Sequence, residues 1–139
     1  MDFRLRMPHP AAMDIFSIFG IRGRSKEVYR LEDALRAVGL HPKRVPDSVK
    51  LAALKLLKNK GAPDLDAECA KAAPMLAFCM LGEDAFSDAN SEGAAQAAEA
   101  RLRHAIDCGN SLDAQLALLT LMAGVTEPGI VEKFELSVD

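Results

Sequence analysis

The chain has 139 residues, of which half are hydrophobic and 27% are charged, and a formal net charge of −3. That composition belongs to one globular domain with one core and excludes a disordered chain. No run approaches the ~20 uninterrupted apolar residues of a membrane-spanning helix, so no transmembrane segment is expected.

Leu, Ala and Met must fill the interior, because there are only six Phe, one Tyr and no Trp. Ala and Leu are strong helix formers and β-branched residues are sparse, so the fold class expected is all-α. Three cysteines stand at 69, 79 and 108, an odd number with no C-x-x-C spacing and no secretory signal pattern ahead of them. They read as reduced thiols of a cytoplasmic protein rather than a disulfide framework.

In chain order, residues 1–13 carry Pro8 and Pro10 and are expected to be a flexible tail, with a single helical domain over 14–139. A competing pattern is the alternation of Phe3, Leu5 and Met7 at one end and of Phe134, Leu136 and Val138 at the other, which would pair as a short ribbon. Isolated two-stranded ribbons are weak, so the helical reading is preferred. Five main helices are expected, over 26–38, 47–60, 64–81, 91–108 and 112–123, with short ones at 14–19 and 128–134. Their starts are marked by Ser25, Asp47, Asp64, Ser91 and Ser111, all good N-cap types. Their ends are marked by Gly39, Gly61, Gly82, Gly109 and Gly124. Gly39–Leu40 and Gly124–Val125 also supply the apolar residue that a Schellman cap folds back onto its helix.

The faces of these helices differ. In 91–108, Ala95, Ala98, Leu102, Ala105 and Ile106 share one side and Glu92, Gln96, Glu99, Arg103 and Asp107 the other, which predicts an amphipathic surface helix. Segment 112–123 is apolar on almost every side through Leu116, Leu118, Leu119, Leu121 and Met122, which predicts a central, buried helix. Pro74 falls inside 64–81 and is expected to kink it or divide it in two.

Charge is strongly polarised along the chain. Residues 1–60 hold 13 Lys or Arg against 6 Asp or Glu, a balance of +7. Residues 61–139 hold 4 against 14, a balance of −10. Three readings follow. The halves neutralise one another on folding; the basic half meets an acidic partner or an anionic surface; or the basic half of one copy faces the acidic half of another. The second reading is sharpened by 14–24, where Ile15, Phe16, Ile18, Phe19 and Ile21 run directly into Arg22 and Arg24. An apolar turn with a basic flank can dock into a partner's groove. It can equally fold over the end of a bundle, and it is too short for stable anchoring on a membrane surface. The candidate partner-binding residues are therefore Phe16, Phe19, Arg22, Arg24, Lys26 and Arg30.

Other chemistry was sought along the chain. Gly20-Ile-Arg-Gly23-Arg-Ser25-Lys26 has the residues of a phosphate loop in the wrong order. The segment Leu54–Gly61 followed by a new helix looks like half a helix-turn-helix. The would-be reading helix, Ala73-Pro-Met-Leu-Ala-Phe-Cys-Met-Leu81, carries no side chain that reads bases, so no specific nucleic acid is expected. His104 and Cys108, four apart beside Asp107, are too few for a closed metal site. Glu83, Asp84 and Asp88 cluster after Gly82 and read as a solvated acidic loop rather than an acid–base pair. No catalytic residue, metal or cofactor is assigned. The expectation is a compact bundle of about five main helices plus one or two short ones, working as a protein-interaction or self-association module. The alternatives are a helical ligand binder or enzyme with scattered site residues, and a binder of anionic surfaces through the basic first half.

Overall fold

The computed structural model describes residues 26–59, 64–109 and 111–137. Among them the structure is all-α. Helices α1 (Lys26–Ala37) and α2 (Asp47–Asn59) are joined through a 3₁₀ turn at Pro42–Arg44. Next come α3 (Leu65–Leu81), α4 (Glu83–Ala89), α5 (Glu92–Cys108), α6 (Leu112–Met122) and α7 (Pro128–Phe134). The flexible tail, the short helix at 14–19, Ser25 and Gly61 fall outside the described residues, as does Val138. Phe134 ends α7, so its part in the proposed ribbon is corrected to helix; the apolar repeat there serves one turn of a helix packed on the core.

The organising element is α3. Every side chain from Met75 to Met80 is buried, as are Cys69, Ala72 and Ala73. A helix buried on all sides needs neighbours on all sides, and α1, α2, α4, α5 and α6 each pack on it. Those five also touch in succession, α1 on α2, α2 on α6, α6 on α5 and α5 on α4. The series closes where Asn90 Nδ2 donates to Val38 O at 2.9 Å, tying the end of α4 to the end of α1. Phe78 of α3 meets Phe86 of α4 edge-on at 5.7 Å between ring centres and Phe134 of α7 at 6.4 Å. Such T-shaped contacts add to the area buried by each ring, and here they bind the two shortest helices to the hub.

Two expectations are corrected. The helix over 112–123 is not central: only Leu116, Ala117 and Thr120 of α6 are buried, and Met122 is 45% exposed. The uncharged stretch Ala72–Met80 of α3 takes the centre instead. Pro74 does not divide that helix, which runs unbroken from Leu65 to Leu81. Proline forfeits one backbone bond, to the carbonyl of Ala70, and burial of the turns on either side holds the helix together. A further helix went unread: Glu83–Ala89 is α4 rather than a loop, drawn into the fold by buried Phe86.

The caps follow the sequence closely. Asp64, Ser91 and Ser111 accept from the backbone N–H of Ala67, Ala94 and Ala114. Asp47 is displaced by one position, the carbonyl of Pro46 receiving the first bonds while Asp47 sits in the first turn. At Gly39 (φ +87°), Leu40 N donates to Leu35 O at 3.0 Å and Gly39 N to Arg36 O at 3.0 Å, the paired bonds of a Schellman cap. Val125 and Gly124 repeat that pattern on Thr120 and Leu121 at the end of α6.

One charged pair lies inside. Lys50 of α2, with 2% of its side chain exposed, places Nζ 2.7 Å from Glu32 Oε2 of α1 and 3.6 Å from Asp47 Oδ1. Removing one partner of such a pair deprives a buried charge of its 2.7 Å contact. Lys50→Met is therefore expected to cost about 3–5 kcal/mol in urea unfolding, and Lys50→Met/Glu32→Leu to recover a large part of it. At Gly39 an added Cβ would stand 2.5 Å from the Ala89 Cβ, whereas at Gly109 (φ +75°) it would meet nothing within 4 Å. Gly109→Ala should lose only the ~1–2 kcal/mol of a left-handed alanine. Gly39→Ala should lose about 1–3 kcal/mol more through overpacking, measured by the same unfolding curves.

Candidate interaction surface

Of the six candidate partner-binding residues, Phe16, Phe19, Arg22 and Arg24 lie outside the described residues. Lys26 and Arg30 open α1, and both are exposed. The helix turns that side outward because Val28, Leu31 and Leu35 recur at a helical period and are buried against α3. Between the two cations stands Tyr29, 53% exposed. Lys26, Tyr29, Arg30 and Asp33 follow the i, i+3, i+4, i+7 spacing of one helix face. Tyr29 is not legible in the sequence as part of a run of bulky apolar residues. Its signal was its position, out of register with Val28, Leu31 and Leu35.

The electrostatics of this face are weakly compensated. Arg30 Nε is 3.4 Å from Asp66 Oδ1, but both side chains are at least half exposed, so the pair is worth little. Among the described residues it is the one ion pair that crosses from the basic half of the chain to the acidic half. Lys50, Lys58 and Arg36 pair with Glu32, Glu27 and Asp33 of their own half. Arg101, Arg103 and Lys133 likewise pair with Asp113, Glu99 and Glu83 of theirs. Among the described residues, the ion pairs thus keep largely to their own half of the chain.

A second exposed face is apolar. On α6, Leu118 and Leu121 are half-buried without packing on the core, and Met122 is exposed. No ionisable side chain occurs from Ala114 to Thr126. The sequence could not reveal this face, since a helix apolar all round gives no sign of which side looks outward.

The remaining candidate chemistry is placed as follows. His104 Nε2 and Cys108 Sγ are 3.5 Å apart and exposed on the last turns of α5. No group of three or more His, Cys, Asp or Glu side chains positioned to hold a metal occurs among the described residues. An open depression of about 410 Å³ lies between α3, α5 and α6, lined by Lys71, Arg101, Ser111, Leu112 and Asp113. Its guanidinium is engaged by the molecule itself. Arg101 donates to Asp113 through Nε at 3.0 Å and Nη2 at 2.7 Å, and Nη2 also donates to Lys71 O at 2.9 Å. Glu83 is not part of a loose acidic loop: Lys133 Nζ lies 2.9 Å from Glu83 and 3.2 Å from Glu99. These hydrogen bonds hold the Glu99 carboxyl below its ordinary range and raise the Lys133 ammonium.

The three thiols are sharply unlike. Burial, joined by the nearby Asp66 carboxylate, pushes Cys69 up to about 11, and burial pushes Cys79 up to about 12. Cys108 is exposed. Thiolate is the reacting form, so Ellman's reagent at pH 8 should modify Cys108 in the folded protein. Cys69 and Cys79 should react only on unfolding, and Cys108→Ser should abolish the fast phase. No protein-family model, curated protein or solved structure matches the chain, so the surface geometry carries the functional reading.

Proposed function

We propose that the chain is a protein-interaction module that docks through the opening turns of α1 and recognises an acidic protein surface. The observation that carries this reading is Tyr29, 53% exposed between the exposed cations Lys26 and Arg30. Tyrosine and arginine dominate the energetics of protein interfaces, since each combines a broad apolar body with directional hydrogen bonding. The charge count agrees: residues 26–59 hold eight Lys or Arg against four Asp or Glu, a surplus of four positive charges. Exposed cations raise association rates with acidic partners and make them sensitive to salt.

The ligand-binding alternative is less well supported, because the depression beside α6 has its guanidinium tied to Asp113.

Photo-crosslinking tests the proposal. The full chain carrying Tyr29→p-benzoylphenylalanine, irradiated in the producing cell, should give a protein adduct that Lys26→Glu/Arg30→Glu removes. Once the adduct is identified, Tyr29→Ala should weaken binding about 30-fold, the equivalent of a ~2 kcal/mol hot spot. Absence of an adduct, or one indifferent to the charge reversal, would overturn the reading.

A further inference from the structure

The complement to the basic face is present on the same molecule. Residues 72–100 contain no Lys, Arg or His and carry five carboxylates, Glu83, Asp84, Asp88, Glu92 and Glu99. Lys133 engages Glu83 and Glu99. The other three are exposed: Asp84 and Asp88 one turn apart on α4, and Glu92 in the first turn of α5.

Where this acidic face sits is fixed by two contacts. Asn90 Nδ2 bonds the carbonyl of Val38, and the Gly39 backbone lies so close to Ala89 that a Cβ there would be 2.5 Å from the Ala89 Cβ. The carboxylates therefore stand at the C-terminal end of α1, while Lys26, Tyr29 and Arg30 stand at its N-terminal end. At 1.5 Å per residue, Lys26 stands ~18 Å and Arg30 ~12 Å along the helix direction from Val38, to which Asn90 is bonded. Both exceed the Debye length of about 8–10 Å at ordinary ionic strength. The two faces are thus too far apart to neutralise one another within one chain, and they can do so between two chains.

Resting on the interaction reading above, we propose that the partner of the Lys26–Tyr29–Arg30 face is a second copy of this chain, engaged through its Asp84–Asp88–Glu92 face. The contact is head-to-tail, because the surfaces that meet are different and lie at opposite ends of α1. Each association leaves one basic and one acidic face available, so assembly proceeds to a ring or an open filament rather than stopping at a two-fold dimer. Exposed charges supply steering and register, and Tyr29 supplies apolar contact that charges alone lack.

Light scattering on the full chain tests this. At low salt the average mass should rise with protein concentration above the 15.0 kDa of the single chain. It should return to that value near ~1 M salt, where the Debye length is about 3 Å. Lys26→Glu/Arg30→Glu should remain a single chain, as should the shape-preserving Asp84→Asn/Asp88→Asn/Glu92→Gln. An equal mixture of the two variants retains one intact basic and one intact acidic face, and should give a species of twice the single-chain mass and nothing larger. A wild-type chain that stays single at low salt, or variants that fail to pair when mixed, would overturn the proposal. If Tyr29→p-benzoylphenylalanine then crosslinks a different protein, self-recognition falls while the interaction reading stands. If it crosslinks nothing, both fall.

Discussion

The constraint on which the structure depends is the enclosure of α3. From Ala72 to Met80 this helix has no charged side chain, and nearly all of that stretch is withdrawn from water. At about 1.5–3 kcal/mol for each large apolar side chain fully buried, no arrangement leaving one side of α3 in water could compete. One helix cannot cover another on all sides, so the rest of the chain is arranged as a succession of neighbours around it. The placement of Pro74 follows from the same requirement. Its lost hydrogen bond weakens the helix locally, but dividing α3 there would expose the Met75–Met80 turns that the other helices enclose.

The interior also contains a device unrelated to hydrophobic burial. Lys50 and Glu32 meet at 2.7 Å beneath the α1–α2 contact. Two well-packed apolar residues could serve stability as well or better. A buried pair differs in what it forbids. Sliding α2 by one turn along α1 would break this 2.7 Å contact, a larger penalty than a shifted leucine. The pair therefore fixes the register between the two helices that carry most of the positive charge, and with it the position of the α1 face.

Local chemistry was legible in the sequence wherever a single residue type decides it. Asp64, Ser91 and Ser111 cap helices because their side chains reach an N–H three residues on. Gly39 and Gly124 end them because each can adopt a left-handed backbone. Six helices consequently lie within a residue or so of their expected positions. What stayed illegible depends on pairings between distant segments. Leu118, Leu121 and Met122 look like core residues in a one-dimensional pattern, and only the greater claim of α3 on the interior displaces them outward. Nothing in the local pattern marks Lys50 for burial, because its partner Glu32 stands 18 positions earlier. Phe86 sits among Glu83, Asp84 and Asp88, and its contact with Phe78 turned an apparent acidic loop into α4. The candidate site was legible in part, through Lys26 and Arg30, while Tyr29 emerged only once the buried side of α1 was known.

Charge segregation survives folding for a reason that joins these points. Among the described residues, the cations of the first half occupy α1, the 3₁₀ turn and α2, and the two helices pack on each other and on α3. The acidic stretch occupies α4 and α5, which also pack on each other and on α3. With the uncharged stretch Ala72–Met80 of α3 at the centre, no ion pair among the described residues crosses the core between the two halves. Compensation is left to the rim, where Arg30 and Asp66 meet in solvent at 3.4 Å. A net charge of −3 thus conceals a molecule that is electrically two-ended. The exposed cations of α1 and the exposed carboxylates of α4 and α5 are like charges gathered at separate places on the surface, which strengthens the local field at each.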